Sequence, residues 1–294
     1  MRLQDSFELI LLASVWGASF LFMRSATPEF GAIALVVVRT GIAALCLLPL
    51  LLISKKWGVI KQYWRPILFV GIVNTAIPFC LFSHATVSLG AGLASILNAT
   101  APMFGAIVAF LWLKDRLSKL AVFGLMLGFS GVVVISSART GVDLSTSTMP
   151  ILLALASTCA YGIAACYTKQ FLSGVNTLAI ATGSQIFATL VLAPLALWFW
   201  PEVNPSNDAW LQVIVLGVFC TGLAYILYFR LIENIGAPRA ITVAYLVPVF
   251  GVMWGMIFLN ETLSALMVAG AGLILFGVGL TTGMLKFRLR RKTV

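Results

Sequence analysis

The sequence predicts an all-α integral membrane protein: ten transmembrane helices arranged as two inverted five-helix repeats. Three observations predict it, namely the composition, the lopsided placement of basic residues, and an internal repeat. Of 294 residues, 61% are hydrophobic and 10% charged, and mean hydropathy is +1.06. Soluble domains run at about 45–50% apolar and about 25% charged, because a wetted surface needs charge to stay dispersed. A soluble enzyme, a nucleic-acid binder and a disordered chain are therefore excluded.

A spanning helix needs about 20 apolar residues. Read between charged, Pro-rich or Gly-rich breaks, the apolar runs place helices at 7–24, 31–53, 67–87, 91–113, 119–137, 149–170, 176–199, 210–231, 238–259 and 265–285. The first run follows Arg2 as a signal peptide would, but it has a later copy within the chain and reads as a span. Cys46, Cys80, Cys159, Cys166 and Cys220 all lie inside apolar runs without C-x-x-C spacing. They read as small buried hydrophobes, not as disulfides or metal ligands.

Basic residues set the orientation. With a cytoplasmic N-terminus, the inner segments hold Arg2; Lys55, Lys56, Lys61 and Arg65; Lys114, Arg116 and Lys119; Lys169; Arg230 and Arg239; and Lys286, Arg288, Arg290, Arg291 and Lys292. The outer segments hold only Arg24 and Arg139, and Arg39 lies within a span. This distribution supports the span count, puts both termini in the cytoplasm, and accounts for the net charge of +10 without nucleic acid. Trp57 and Trp64 on one side, and Trp198, Trp200 and Trp210 on the other, suit interfacial anchoring.

The chain repeats itself at an offset of 145–146. Pro102-Met-Phe-Gly105 and Leu113-Lys-Asp-Arg-Leu-Ser118 match Pro248-Val-Phe-Gly251 and Leu259-Asn-Glu-Thr-Leu-Ser264. Trp16-Gly17 matches Tyr161-Gly162, Arg24 matches Lys169, and Pro49-Leu50 matches Pro194-Leu195. The halves are 1–140 and 141–294. Five spans is an odd number, so the second copy enters from the opposite side. Inverted repeats rocking about a midplane site are the usual build of a secondary transporter.

With these residues in view, the chain resembles the drug/metabolite transporter superfamily, EamA type. The resemblance rests on Trp16-Gly17-Ala-Ser-Phe20 with Arg24, on Arg39 and Pro49, and on the doubled stretches ending at Asp115 and Glu261, each followed by a Gly-rich helix. It covers nearly the whole chain. Asp115 departs from the Glu usual in the family's first copy. The resemblance implies a bacterial inner-membrane, multi-pass exporter of amino acids or related metabolites.

Charge inside a span costs a few kcal/mol and needs a reason. Arg39 fits recognition of a substrate carboxylate, or a clamp on backbone carbonyls. His84, the single histidine, fits substrate binding or proton exchange, or an interfacial bond to a carbonyl. Its repeat mate is Arg230. Arg24 and Lys169 read as helix-end cations facing the dipole, or as gating groups together with Arg230. Asp115 and Glu261 read as caps of the following helices, and Glu8 as first-turn dipole pairing. Pro102 and Pro248 fall mid-helix, kink their spans and nominate them as cavity walls. Asn98 and Tyr245 reach the same space, and Trp16 with Tyr161 offers a paired aromatic lining. Asn74, Thr75, Gln185, Thr221 and Tyr225 read as helix-contact glue. Gly124-x-x-x-Gly128 and the glycines of the last span form a thin face, which fits an intramolecular seam, as in a monomer, or a dimer contact; the seam is the expected reading.

The expected function is a secondary transporter working by alternating access. The alternatives are a carrier of phosphorylated or nucleotide-linked metabolites, or of cationic drugs. No catalytic constellation, metal spacing or cofactor motif is present in the sequence. The expected partners are a small-molecule substrate and membrane lipid.

Overall fold

The computed structural model describes residues 2–137 and 144–285, with the side chains of 144–147 and 237–238 left aside. Arg139, the proposed boundary at 140/141 and the basic run from Lys286 to Lys292 lie outside the described residues.

Among the described residues every regular element is helical. Ten spans follow in order: α1 Leu3–Phe30, α2 Ala32–Ile53, α3 Trp64–Leu89, α4 Ala91–Leu113, α5 Lys119–Ser137, α6 Thr148–Phe171, α7 Thr177–Trp198, α8 Asn207–Ile235, α9 Val243–Leu259 and α10 Ala265–Thr281. Lipid offers no hydrogen bonds, so a chain this apolar satisfies its backbone within helices. At 17 residues each, α9 and α10 are the short ones, about 26 Å long at helical rise.

Several boundaries differ from expectation. α1 runs through Arg24 to Phe30 and stops at Gly31, whose φ of 72° ends the helix. Arg24 is therefore no helix-end cation; its carbonyl lies inside a continuing ladder. A short helix at Trp57–Gln62 joins α2 to α3. α9 begins later than expected, after a separate turn at Ala237–Ala240. The caps of α5 and α10 are Ser118 and Ser264, which accept the N–H of Ala121 (3.0 Å) and Met267 (3.2 Å). Asp115 and Glu261 are free for other partners.

Close contacts come in repeat-related pairs, most of them made where glycine removes the side chain. A Cβ on Gly17 of α1 would lie 2.7 Å from Phe250 of α9, and one on Gly162 of α6 would lie 2.7 Å from Gly105 N of α4. Gly217 brings α8 onto Ile42 of α2, and Gly71 brings α3 onto Ser184 of α7. Two contacts join mates across the bundle. Thr40 of α2 meets Thr189 of α7 at 2.8 Å. α5 and α10 meet backbone to backbone, where a Cβ on Gly124 would sit 2.6 Å from the Gly277 carbonyl. The thin faces thus form an intramolecular seam.

Candidate functional site

A cavity of about 590 Å³ opens at the end of the bundle that carries Lys169 and runs inward to Arg39. Lys169, 66% exposed at its side chain, stands at the mouth and pairs with Asp115 at 3.0 Å. The wall is largely apolar and aromatic, with Trp16, Phe79, Phe82 and Tyr161 facing the space. Phe82 stacks on Tyr161 at 6.3 Å and meets Phe20 edge-on at 5.6 Å. Trp16 leans on Tyr228 at 5.3 Å.

Arg39 closes the inner end. It is 4% exposed. Its Nε donates to Thr221 Oγ1 at 2.9 Å, Nη1 lies 3.5 Å from Met23 Sδ, and the guanidinium sits 3.9 Å over the Phe79 ring. Among the described residues it makes no ion pair. Guanidinium stays charged in proteins. A hydroxyl, a thioether and a ring face compensate this cation only in part.

Two π-helical turns shape the floor. Gly71–Ala76 in α3 and Val218–Leu223 in α8 are repeat mates. Such turns favour functional sites because they widen the ladder. Here Thr221 donates five residues back to the Leu216 carbonyl at 2.9 Å, leaving its oxygen to accept from Arg39. Asn74 comes from the other turn and lines the cavity. Asn98 comes from the interruption in α4 at Ala99–Thr100, just before Pro102.

The expected site residues divide accordingly. Arg39, Asn98, Trp16, Tyr161, Pro102 and Lys169 share the cavity. His84 is exposed on α3 and outside the lining. Tyr245 turns away, with Oη 2.6 Å from Thr282 Oγ1 and 3.3 Å from the Val278 carbonyl of α10. Pro248 is buried behind Val247, which reaches the space in its stead. Arg24 is half-buried and outside the lining. Arg230 pairs with Glu8 at 3.1 Å, tying α8 to α1; this pair replaces the dipole role expected of Glu8. Phe79 and Phe82 had no signal in the sequence reading. Asn74, Thr221 and Tyr225 line the cavity although read as glue; the repeat of Gly71 and Gly217 one turn ahead of two of them was the available clue. No cluster of metal-ligating side chains occurs among the described residues.

A membrane bundle of paired repeats, hollow at its centre and open at one end, defines a transporter. The chain belongs to the EamA-like transporter family, which matches residues 7–137 and 148–283. It is 27% identical over 276 residues to an uncharacterized transporter of Archaeoglobus fulgidus (92% of this chain, 95% of the relative). It is 26% identical to the uncharacterized inner membrane transporter YedA of Escherichia coli K12 (93% and 89%). It is 24% identical to a probable terminal-alkyne amino-acid exporter of Streptantibioticus cattleyicolor (92% and 90%). The family and these relatives are transporters, and the chain is not an enzyme.

Proposed function

We propose that this protein exports small carboxylate-bearing metabolites, amino acids or close relatives, by alternating access across a bacterial inner membrane. The observation that carries the reading is Arg39, a buried cation at the end of the cavity with no ion pair among the described residues. A cargo carboxylate would supply the missing charge through a bidentate contact. The aromatic wall would take the cargo's apolar portion.

The printed name of the Streptantibioticus relative supports an amino-acid cargo, and that of YedA supports the inner membrane. The basic residues support cytoplasmic termini, which makes the open end the cytoplasmic one. An exporter loads from that side. Phosphorylated or nucleotide-linked cargo is disfavoured, because it calls for several cations, and Lys169 is already held by Asp115. Cationic drugs are disfavoured by Arg39 itself.

The test is counterflow in proteoliposomes loaded with one unlabelled compound at a time. The panel holds amino acids, their deaminated acids, their amides and their decarboxylated amines. Acids should exchange with labelled cargo, whereas amides and amines should not. Equal exchange of acids and amines would remove the carboxylate from the reading.

A further inference from the structure

The helices α4 and α9 are repeat mates, and they meet at one end only. Away from the cavity mouth, Gly251 presents bare backbone to Ser95, leaving no room for a Cβ, and a Cβ on Gly92 would lie 3.4 Å from Val252. Glu261 locks this contact. Its carboxylate accepts the N–H of Ala91 at 2.7 Å and of Gly92 at 2.9 Å, the leading turn of α4.

The backbone of that device recurs at the other end, in the open position. Lys114 and Asn260 take the same left-handed conformation, with φ 58° and 52°. The next residue bonds back in the same way: Asp115 N–H to the Ala109 carbonyl (3.2 Å) and Glu261 N–H to the Gly255 carbonyl (3.1 Å). Gly236 (φ 83°) precedes the short helical turn Ala237–Ala240 ahead of α9 as Gly90 (φ 84°) precedes the leading turn of α4, a backbone that only glycine adopts readily. The mates of Gly251 and Ser95 are Gly105 and Ile241. Yet a Cβ on Gly105 would meet nothing within 4 Å. Ile241 is 54% exposed and lines the cavity. The Asp115 carboxylate pairs with Lys169 instead of a helix end.

We propose that Glu261 and Asp115 are alternating latches on one scissor of α4 and α9. The inference rests on the alternating-access reading above. In the opposite state Ile241 packs on Gly105, Asp115 leaves Lys169 for the short helical turn that starts at Ala237 ahead of α9, and Glu261 lets go of Ala91 and Gly92. The latches are unequal. The repeat offset sets Pro238 opposite Gly92, and proline has no N–H to give. Asp115 thus gains one backbone donor fewer than Glu261 and must break an ion pair first. The empty carrier rests with the Lys169 end open.

The test is a disulfide between Gly105→Cys and Ile241→Cys, in the full chain with its five native cysteines changed to alanine, reconstituted in liposomes. The open space at Gly105 and the exposure of Ile241 make both substitutions tolerable. Under copper-phenanthroline the resting protein should cross-link slowly. Glu261→Gln should speed the reaction about tenfold, a shift of one decade in the population ratio. Glu261→Asp, which keeps the charge but shortens the reach, should act in the same direction. Asp115→Asn should slow it about threefold. A rate indifferent to both Glu261 variants in folded protein overturns the proposal; if neither variant folds, an Asp115→Asn rate equal to that of the parent overturns it. Cross-linking needs no cargo. A chain that cross-links as expected but exchanges no acid refutes the cargo reading alone. A chain that exchanges acids but never joins residues 105 and 241 refutes the latches alone.

Discussion

The two repeats agree in backbone and disagree in chemistry at the cavity floor. In one, α8's π-helical turn offers Thr221 to Arg39. In the other, α3's matching turn offers Thr75 to a region where the offset of 145 sets Ser184 opposite Arg39, with Gln185 beside it. Thr75 and Gln185 are fully buried, and the Thr75 hydroxyl and both Gln185 amide atoms have no hydrogen-bond partner. The helix contacts are shared and run between the repeats, with Gly217 of the second on Ile42 of the first and Gly71 of the first on Ser184 of the second. Duplication therefore fixed the scaffold twice and the cation once. Packing effects should be symmetric between the halves, whereas transport effects should not.

The largest effect tests the shared part. Gly124→Leu and Gly277→Leu should each abolish recovery of monodisperse protein, because each new Cβ lands about 2.5–2.6 Å from the facing carbonyl and overpacking forces backbones apart. Size-exclusion profiles that differ between the two variants would break the symmetry of the seam. Arg39→Ala comes next, with normal expression and a fall of about 100-fold in acid exchange, the worth of a charge-assisted contact of about 2–3 kcal/mol. Ser184→Ala should change exchange less than about twofold. If both fall alike, the one-sided floor is wrong. Thr221→Val should raise the half-saturating acid concentration about fivefold, by removing one partner of Arg39 at about 1 kcal/mol, while Thr75→Val leaves it unchanged. Gln185→Leu should raise the melting temperature by about 2–4 °C, since it removes a buried amide that pairs with nothing. His84→Ala should likewise stay within about twofold of the parent in exchange, as suits an exposed residue outside the cavity.

The ten spans were legible because hydropathy and charge punctuation report the membrane directly. Arg39, Asn98, Trp16 and Tyr161 were legible as lining because each is polar, aromatic or repeat-paired where Leu would serve, whereas Lys169 reads first as a helix-end cation and does stand in the last turn of α6. His84 and Tyr245 satisfied the same criteria and face elsewhere. Lipid is as apolar as a protein core, so a membrane helix carries no polar stripe to reveal its inward face. The π-helical turns add a further rotation within α3 and α8, which changed the standing of Asn74 and Thr221. Glu261 looked like a local cap, since Ser264 follows nearby, but its partners lie about 170 residues away in sequence. No local pattern encodes that pairing.

The unpaired guanidinium has an electrical consequence. With Lys169 neutralised by Asp115, a carrier binding a monocarboxylate is uncharged at its core, and the same carrier without cargo holds one positive charge. A field across the bilayer, about 2.3 kcal/mol per charge per 100 mV for full crossing, then acts on the return stroke and not on the loaded one. For zwitterionic cargo, whose net charge is zero, the core keeps its one positive charge with and without cargo, and the field acts on both strokes alike. Turnover measured against an imposed potassium-valinomycin potential would report which stroke feels the voltage, and with it the charge of the molecule being carried.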